Sequence, residues 1–395
     1  MIDRRHLLKG MGAAGALSGL PWASLALAAA ETDRRVVFIL QRGAQDGLAA
    51  LVPYEDPAYR AYRPRIALPK PGEEGGVLDL NGLFGVHPSL TTFHKLWQAG
   101  DLAVLPAIAS RYRERSHFDG QNLLENGTGE PFGARDGFLN RALRGLGGPE
   151  AKLGMSFGQT VPLALQGDAK VLAWAPSVTR PVSNDFLERL LLSYGEDEAL
   201  AGALEEAMMP VGADVDMTGA DRYRAAAGKD MALAAAAAAS AMIKDNGPRV
   251  ALLESHGWDT HSGAVGRLNY LFAGLDEAMA TLHHGLAPVW DKTLIVTMSE
   301  FGRTARENGS AGTDHGTGGV SFVAGGAVRG GRLLGDWPGL TEDRLYEGRD
   351  LAPANALEGL LKTVLVGHLG IDRGFVDREV LPGSADHRPM GGLLA

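Results

Sequence analysis

The chain has 395 residues, 45% hydrophobic and 22% charged, with 38 Lys and Arg against 47 Asp and Glu, for a net charge of −9. That acidic balance excludes the basic footprint of a nucleic-acid-binding surface, and 54 glycines without a three-residue period read as a loop-rich globular protein. There is no cysteine. This excludes disulfides, thiolate nucleophiles, iron–sulfur clusters and Cys-zinc sites, so any metal has to sit on His, Asp, Glu or hydroxyl ligands.

Asp3-Arg4-Arg5-His6-Leu7-Leu8-Lys9 is a twin-arginine pattern. A mildly apolar stretch, Met11 to Leu27, follows it, and Ala26-Leu27-Ala28 and Ala28-Ala29-Ala30 both fit an A-x-A cleavage site. Gly10, Gly12, Gly15, Gly19 and Pro21 make the stretch a poor permanent span of about 20 residues. Residues 1–30 are therefore expected to be a Tat signal peptide. That leaves 31–395 as a single domain of net charge −11, periplasmic or exported, with no stable membrane span after cleavage.

Arg35 to Gln41 is a short apolar run and predicts a buried strand, ending in the loop Arg42-Gly43-Ala44-Gln45-Asp46-Gly47. Residues 52–86 are rich in Pro, Gly and charge and predict irregular chain. Pro88 to Ala99 predicts a helix, Leu102 to Leu105 a strand, and Phe118 to Asn126 a helix stopped by Gly127. Leu163-Ala164-Leu165 and Val171-Leu172-Ala173-Trp174 read as short strands. Residues 184–246 read as mainly helical; the run from Met231 to Ile243 is too short, and too closely flanked by charge, to span a membrane. Strands follow at Arg249–Leu253, Thr293–Met298 and Val320–Ala324. Helices follow at Gly263–Leu286, with Leu268, Phe272, Leu275, Met279 and Leu282 on one stripe, and at Asn355–Leu369, capped by Gly370. Strands that are continuous apolar runs, alternating with helices, predict a mostly parallel sheet covered on both faces, an α/β fold.

In such sheets the ligand site lies at the carboxyl ends of the strands. There the sequence places Asp46, then Ser116-His117 opening a helix, then His256-Gly257-Trp258-Asp259-Thr260-His261, Ser299-Glu300-Phe301-Gly302-Arg303, and Thr313-Asp314-His315-Gly316. Oxygen and imidazole ligands gathered in this way suit Zn²⁺, Mn²⁺, Mg²⁺ or Ca²⁺, one ion or two. Ser116 has two readings. It is a helix N-cap, or a nucleophile favoured by the helix N-terminus and a nearby metal.

Other motifs fail. Gly154-Met155-Ser156-Phe157-Gly158 matches a nucleophile elbow, but Gly147-Gly148-Pro149 and Pro162 crowd it. Asp214 to Gly219 opens like a calcium loop, but the twelfth position is Ala225 rather than Glu. His283-His284 reads as a helix-surface feature.

Six motifs in order, Phe38 to Gly47, Gly85 to Leu90, Ser116 to Gln121, Gly257 to His261, Ser299 to Thr304 and Thr313 to Gly316, resemble the exported bacterial family known as domain of unknown function 1501. By resemblance that family is grouped with the alkaline phosphatase and sulfatase-like superfamily. The resemblance implies a three-layer α/β/α fold with a mostly parallel central sheet and, typically, two metals at the strand ends. It implies Asp46 as the first acidic ligand, Ser116 as nucleophile, and Asp259, His261 and His315 as ligands with Asp314 beside the last. Glu300 stands where an Asp is expected, and Phe301 replaces the expected His, which removes one imidazole.

Two readings follow. The first is a metal-dependent hydrolase of phosphate or sulfate esters. Ser116 is its nucleophile, Asp46, Asp259, His261, Glu300, Asp314 and His315 hold metal, and Arg42, His117 and Arg303 bind the substrate's oxygens. The second is a non-catalytic envelope protein on the same scaffold that binds a metal, a glycan or an exported protein partner.

Overall fold

A computed structural model describes residues 32–147, 151, 153–158, 160–175 and 227–395. The expected signal peptide, most of the 184–246 helical segment and the loop at Asp214 lie outside the described residues.

The central sheet has nine strands. β1 is Arg35–Arg42, β5 Leu102–Ala109, β6 Gly154–Phe157, β7 Val171–Trp174, β8 Val250–His256, β9 Thr293–Met298, β10 Gly319–Ala324, β11 Arg332–Leu333 and β12 Asn355–Ala356. Their order is β11-β5-β10-β9-β1-β8-β6-β7, with β12 also paired to β5. β9, β1, β8, β6 and β7 are mutually parallel. β10 alone runs antiparallel to both of its neighbours. The short strands β2 (Leu51–Val52), β3 (Leu78–Asp79) and β4 (Gly85–Val86) form a separate antiparallel sheet within the irregular region.

Alternate residues of β1 point to opposite faces. Val37 and Ile39 join one buried cluster, while Val36, Phe38 and Leu40 join another. The first cluster is covered by α3 (Thr91–Ala99), α6 (Ala227–Met242) and α7 (Ala264–Gly285), with Phe93, Ala235 and Phe272 fully buried. The second is covered by α4 (His117–Asn126), α5 (Phe138–Gly147) and α8 (Leu357–Lys362), through Leu124, Leu143 and Leu360. Phe38 meets Phe138 edge to face at 6.1 Å. The expected three layers are therefore present. Among the described residues no helix is long and apolar enough to cross a membrane.

Two local expectations change, and one dismissed motif proves to be a strand. Leu163–Leu165 is a single 3₁₀ turn rather than a strand, set after Pro162. Gly154–Phe157 is a buried strand, so Ser156 lies within the sheet and not on an elbow. The helix predicted at 355–369 begins as strand β12, is α-helical over Leu357–Lys362, and continues as π-helical turns to His368.

Candidate metal centre

Every residue of the site sits at one edge of the sheet. β1, β5, β8 and β9 end there. β10 starts there because it is antiparallel, so the loop before it delivers Asp314 and His315 to the same edge. Two glycines make the close approach possible. Gly43 has φ +115°, and a Cβ on it would lie 2.5 Å from the Asp259 nitrogen. A Cβ on Gly302 would lie 1.9 Å from the Gly318 carbonyl oxygen. Without side chains there, the segment after β9 runs beside the segment before β10, with Gly302 N–H donating to Thr317 O at 3.0 Å and Gly316 N–H to Gly302 O at 2.9 Å.

Three imidazoles converge on one carboxylate oxygen. From Asp259 Oδ1, His261 Nε2 is 2.9 Å away, His315 Nε2 3.2 Å and His117 Nε2 3.4 Å. His261 Nε2 and His315 Nε2 are 2.9 Å apart. Ligand atoms of His117, Asp259 and His315 all lie within 4.8 Å of one another.

Each ring is fixed from behind through its other nitrogen. His117 Nδ1 lies 2.8 Å from Glu300 Oε1, His261 Nδ1 3.1 Å from Asp314 Oδ1, and His315 Nδ1 2.8 Å from the Arg115 carbonyl oxygen. A carbonyl and a carboxylate only accept. Each Nδ1 therefore carries the proton, and in the neutral ring each Nε2 offers a lone pair. His117 Nε2 is buried and has no hydrogen-bond partner. Nε2 lone pairs facing an anionic oxygen suit a cation, and among the described residues His117, Asp259 and His315 form a group that could hold a divalent ion, with His261 Nε2 beside it at 2.9 Å from His315 Nε2.

The surroundings tune these groups. The hydrogen bond that His117 donates to Glu300 raises the His117 pKa against the opposing effect of burial. Burial would raise Asp259, but the hydrogen bond and charge of Arg303 outweigh it and hold the carboxyl below the usual range; Arg303 Nη1 is 2.6 Å from Oδ1. Burial pushes His315 down. The hydrogen bond from Asn308 keeps Asp314 ionised.

The residues expected at the site are distributed as follows. Asp259, His261 and His315 come together. His117, expected to bind substrate, joins them. Glu300 and Asp314, expected to hold metal, stand behind the rings as their acceptors. Asp46, also expected at the metal, caps the short helix α1 (Gly47–Ala50) and is paired with Arg63 Nη1 at 2.9 Å, both side chains about 1% exposed. Arg303 is buried and holds Asp259 and Thr313. Arg42 pairs with Glu125 at 2.7 Å and with Glu254. Ser116 is the N-cap of α4, its Oγ accepting from Asp119 N–H at 3.4 Å. Phe301 stacks under His117, with ring centroids 5.0 Å apart and planes at 25°. It thus supports a ligand ring where an imidazole was expected.

Sequence reasoning missed Arg63 and the Arg115 carbonyl. Arg115 has φ +60°, which aims that carbonyl at His315, and its side chain is anchored on Asp350 at 2.8 Å. No sequence pattern marks either role.

A family model described as a protein of unknown function (DUF1501) matches residues 108–357. No curated protein matches the chain. Solved structures similar to it include Ps i-CgsB in complex with k-i-k-neocarrahexaose (11% identity, 86% of this chain and 73% of that one, TM-score 0.43). Others are the lipoteichoic acid synthase LtaP from Listeria monocytogenes (10%, 89% and 76%, TM-score 0.38) and alkaline phosphatase from the Antarctic bacterium TAB5 (13%, 74% and 91%, TM-score 0.34).

Proposed function

The chain belongs to the DUF1501 family, and on the geometry of its site we propose that it is a metal-dependent hydrolase of phosphate or sulfate esters, exported by the twin-arginine route. The observation that carries the reading is the convergence of three Nδ1-anchored imidazoles on Asp259 Oδ1. A divalent ion bound there supplies charge neutralisation for the oxygens of an anionic ester.

The chain's own residues do the rest. Glu300, Asp314 and the Arg115 carbonyl hold the rings in one tautomer. Arg303 keeps Asp259 ionised and in place. Ser116 lies between Arg115 and His117 at the N-terminus of α4, where the helix N–H groups favour negative charge. We assign it the role of nucleophile, with the cap to Asp119 as its resting contact. Arg42 is held by two carboxylates, and Arg303 is buried with all three of its nitrogens on Asp259 and Thr313, so either would have to exchange a partner to reach a substrate.

The test is multiple-turnover hydrolysis of aryl phosphates and aryl sulfates by the metal-replete, signal-cleaved protein. Activity that is lost in His315→Ala and in Ser116→Ala supports the reading. Full activity in Ser116→Ala removes the nucleophile assignment. Absence of turnover on every ester, with metal bound, favours the second reading: a non-catalytic centre that binds an anionic glycan or a partner. The engagement of Ser116 Oγ as a cap and of Arg42 with Glu125 and Glu254 is the observation in favour of that alternative.

A further inference from the structure

The nature and number of the ions follow from which side chains remain free to bind them. Among the described residues Asp46, Glu300, Asp314 and Glu254 at the strand-end edge are engaged by partners outside the imidazole cluster, while Asp259 Oδ1, held by Arg303 Nη1 at 2.6 Å, still faces the three rings. Asp46 receives Arg63 Nη1 on both oxygens, at 3.0 and 2.9 Å, and the Leu48 and Ala49 N–H groups on Oδ1. Arg63 itself is fully used: Nε donates to Ala305 O at 3.0 Å and Nη2 to Thr304 O at 2.9 Å. Glu300 accepts from His117, Gln121 and Gly43 on one oxygen and from the Ser299 hydroxyl on the other. Asp314 Oδ1 accepts from His261 and from Asn308. Glu254 holds Arg42. Only Asp259 points its carboxylate among the imidazole lone pairs.

We propose that the centre is a single, nitrogen-rich site that takes one zinc-class ion (Zn²⁺, Co²⁺ or Ni²⁺) per chain and does not take Mg²⁺ or Ca²⁺, with the Arg63 guanidinium permanently occupying Asp46. This rests on the preceding reading only for the existence of the centre. Three imidazoles and one carboxylate are the donor types of zinc sites, whereas Mg²⁺ and Ca²⁺ take oxygen ligands. The orphaned, buried Nε2 of His117 is the independent sign of a missing partner. The 2.9 Å separation of two Nε2 atoms that are both lone-pair donors is the second. Two imidazole nitrogens approach that closely only around a shared cation or a shared proton.

The experiment uses the full signal-cleaved chain, stripped with a chelator and dialysed. It is titrated with Zn²⁺, Co²⁺ and Mg²⁺ in turn, and bound metal is counted by native mass spectrometry. Cobalt binding is also read from its visible absorption, which reports nitrogen-rich, low-coordinate sites directly. The expected result is one Zn²⁺ or Co²⁺ per chain, undiminished by a large excess of Mg²⁺. Affinity should fall by more than about 100-fold in His315→Ala and in His261→Ala, beyond the 10- to 100-fold typical of losing an outer partner. Two ions per chain, displacement of zinc by Mg²⁺, or no ion bound would overturn the proposal. In the last case the shared cation is a proton. Asp46→Asn keeps the cap acceptor and should leave the stoichiometry at one; loss of the ion from a folded Asp46→Asn chain would also overturn it. Ester turnover is not read here, so a chain that binds one zinc but hydrolyses nothing refutes only the preceding reading. A chain that hydrolyses esters with two Mg²⁺ refutes only this one.

Discussion

Glu300 Oε1 lies 2.8 Å from His117 Nδ1 and also accepts from the Gly43 N–H at 2.9 Å and Gln121 Nε2 at 3.0 Å. One buried oxygen thus ties a ring on α4, a side chain one turn further along that helix, and the loop after β1. Burial would raise the Glu300 pKa, but the hydrogen bonds from His117, Gln121 and Gly43 prevail and keep it ionised.

Glu300→Gln should keep the shape and remove the charge. Metal affinity should drop by about 10- to 100-fold, as for other carboxylates behind a ligating histidine. The His117 pKa should fall, because the hydrogen bond that raises it is weakened. A metal titration and the His117 ring shifts by NMR check both; an unchanged affinity would remove Glu300 from the centre.

Arg63 and Asp46 are a buried pair with both partners hydrogen-bonded. Arg63→Met strands the carboxylate and should cost about 3–5 kcal/mol of stability. The double change Arg63→Met with Asp46→Leu should cost less than Arg63→Met alone, because no unpaired charge is left inside. Denaturant unfolding of the parent, both single mutants and the double mutant measures the difference. A double mutant as unstable as the sum of both singles would contradict it.

Ser116 has a structural part and a chemical part, and two substitutions separate them. Ser116→Ala should lose about 1 kcal/mol for the missing cap, and the activity. Ser116→Asp retains a capping oxygen, so stability should stay near the parent while hydrolysis is lost. Equal turnover in the parent and Ser116→Asp would leave Ser116 with the cap alone.

Burial holds His87 and His368 at pKa values of about 4, from an ordinary 6.5. Between these values the unfolded chain binds more protons than the folded one, so stability rises with pH across the window and is flat above it. Acidification from pH 7 to pH 4 should therefore cost up to about 3 kcal/mol per histidine. His368→Gln should reduce the slope by one proton. Unfolding measured with a chelator present, so that the metal centre does not contribute, tests this.

The strands β1, β8 and β9 and the helix α7 are legible because they are long and strongly patterned. Val36 to Leu40 is unbroken and apolar, and Leu268, Phe272, Leu275 and Met279 recur on one stripe. Helix α5 is absent from the expectations although Phe138, Leu139, Ala142, Leu143 and Leu146 have helical spacing and are buried. The Gly and Pro residues on both sides of it obscured the pattern. Three of the four converging residues were legible because they lie beside strand ends. His117 drew a different role because its neighbour Ser116 has the chemistry of a nucleophile. The Arg63–Asp46 pair was not legible: it closes across 17 residues in which the chain makes a short helix and no strong pattern. Nor does the sequence say that β10 runs backwards, which is why the loop holding His315 reaches the edge from the front of its strand.

The centre also constrains when it comes into being. His315 is fixed by the carbonyl of Arg115, 200 residues earlier, and His117 by Glu300, 183 residues later. During synthesis no emerging fragment shorter than about four-fifths of the chain contains all four converging side chains. The nucleating contacts of the sheet have to form first, since such distant pairings are the slow, late events of folding. An ion held by these side chains would therefore load only after the distant pairings have closed. An assay for bound metal would then double as an assay for closure of the strand-end edge, and a chain ending before His315 would carry none.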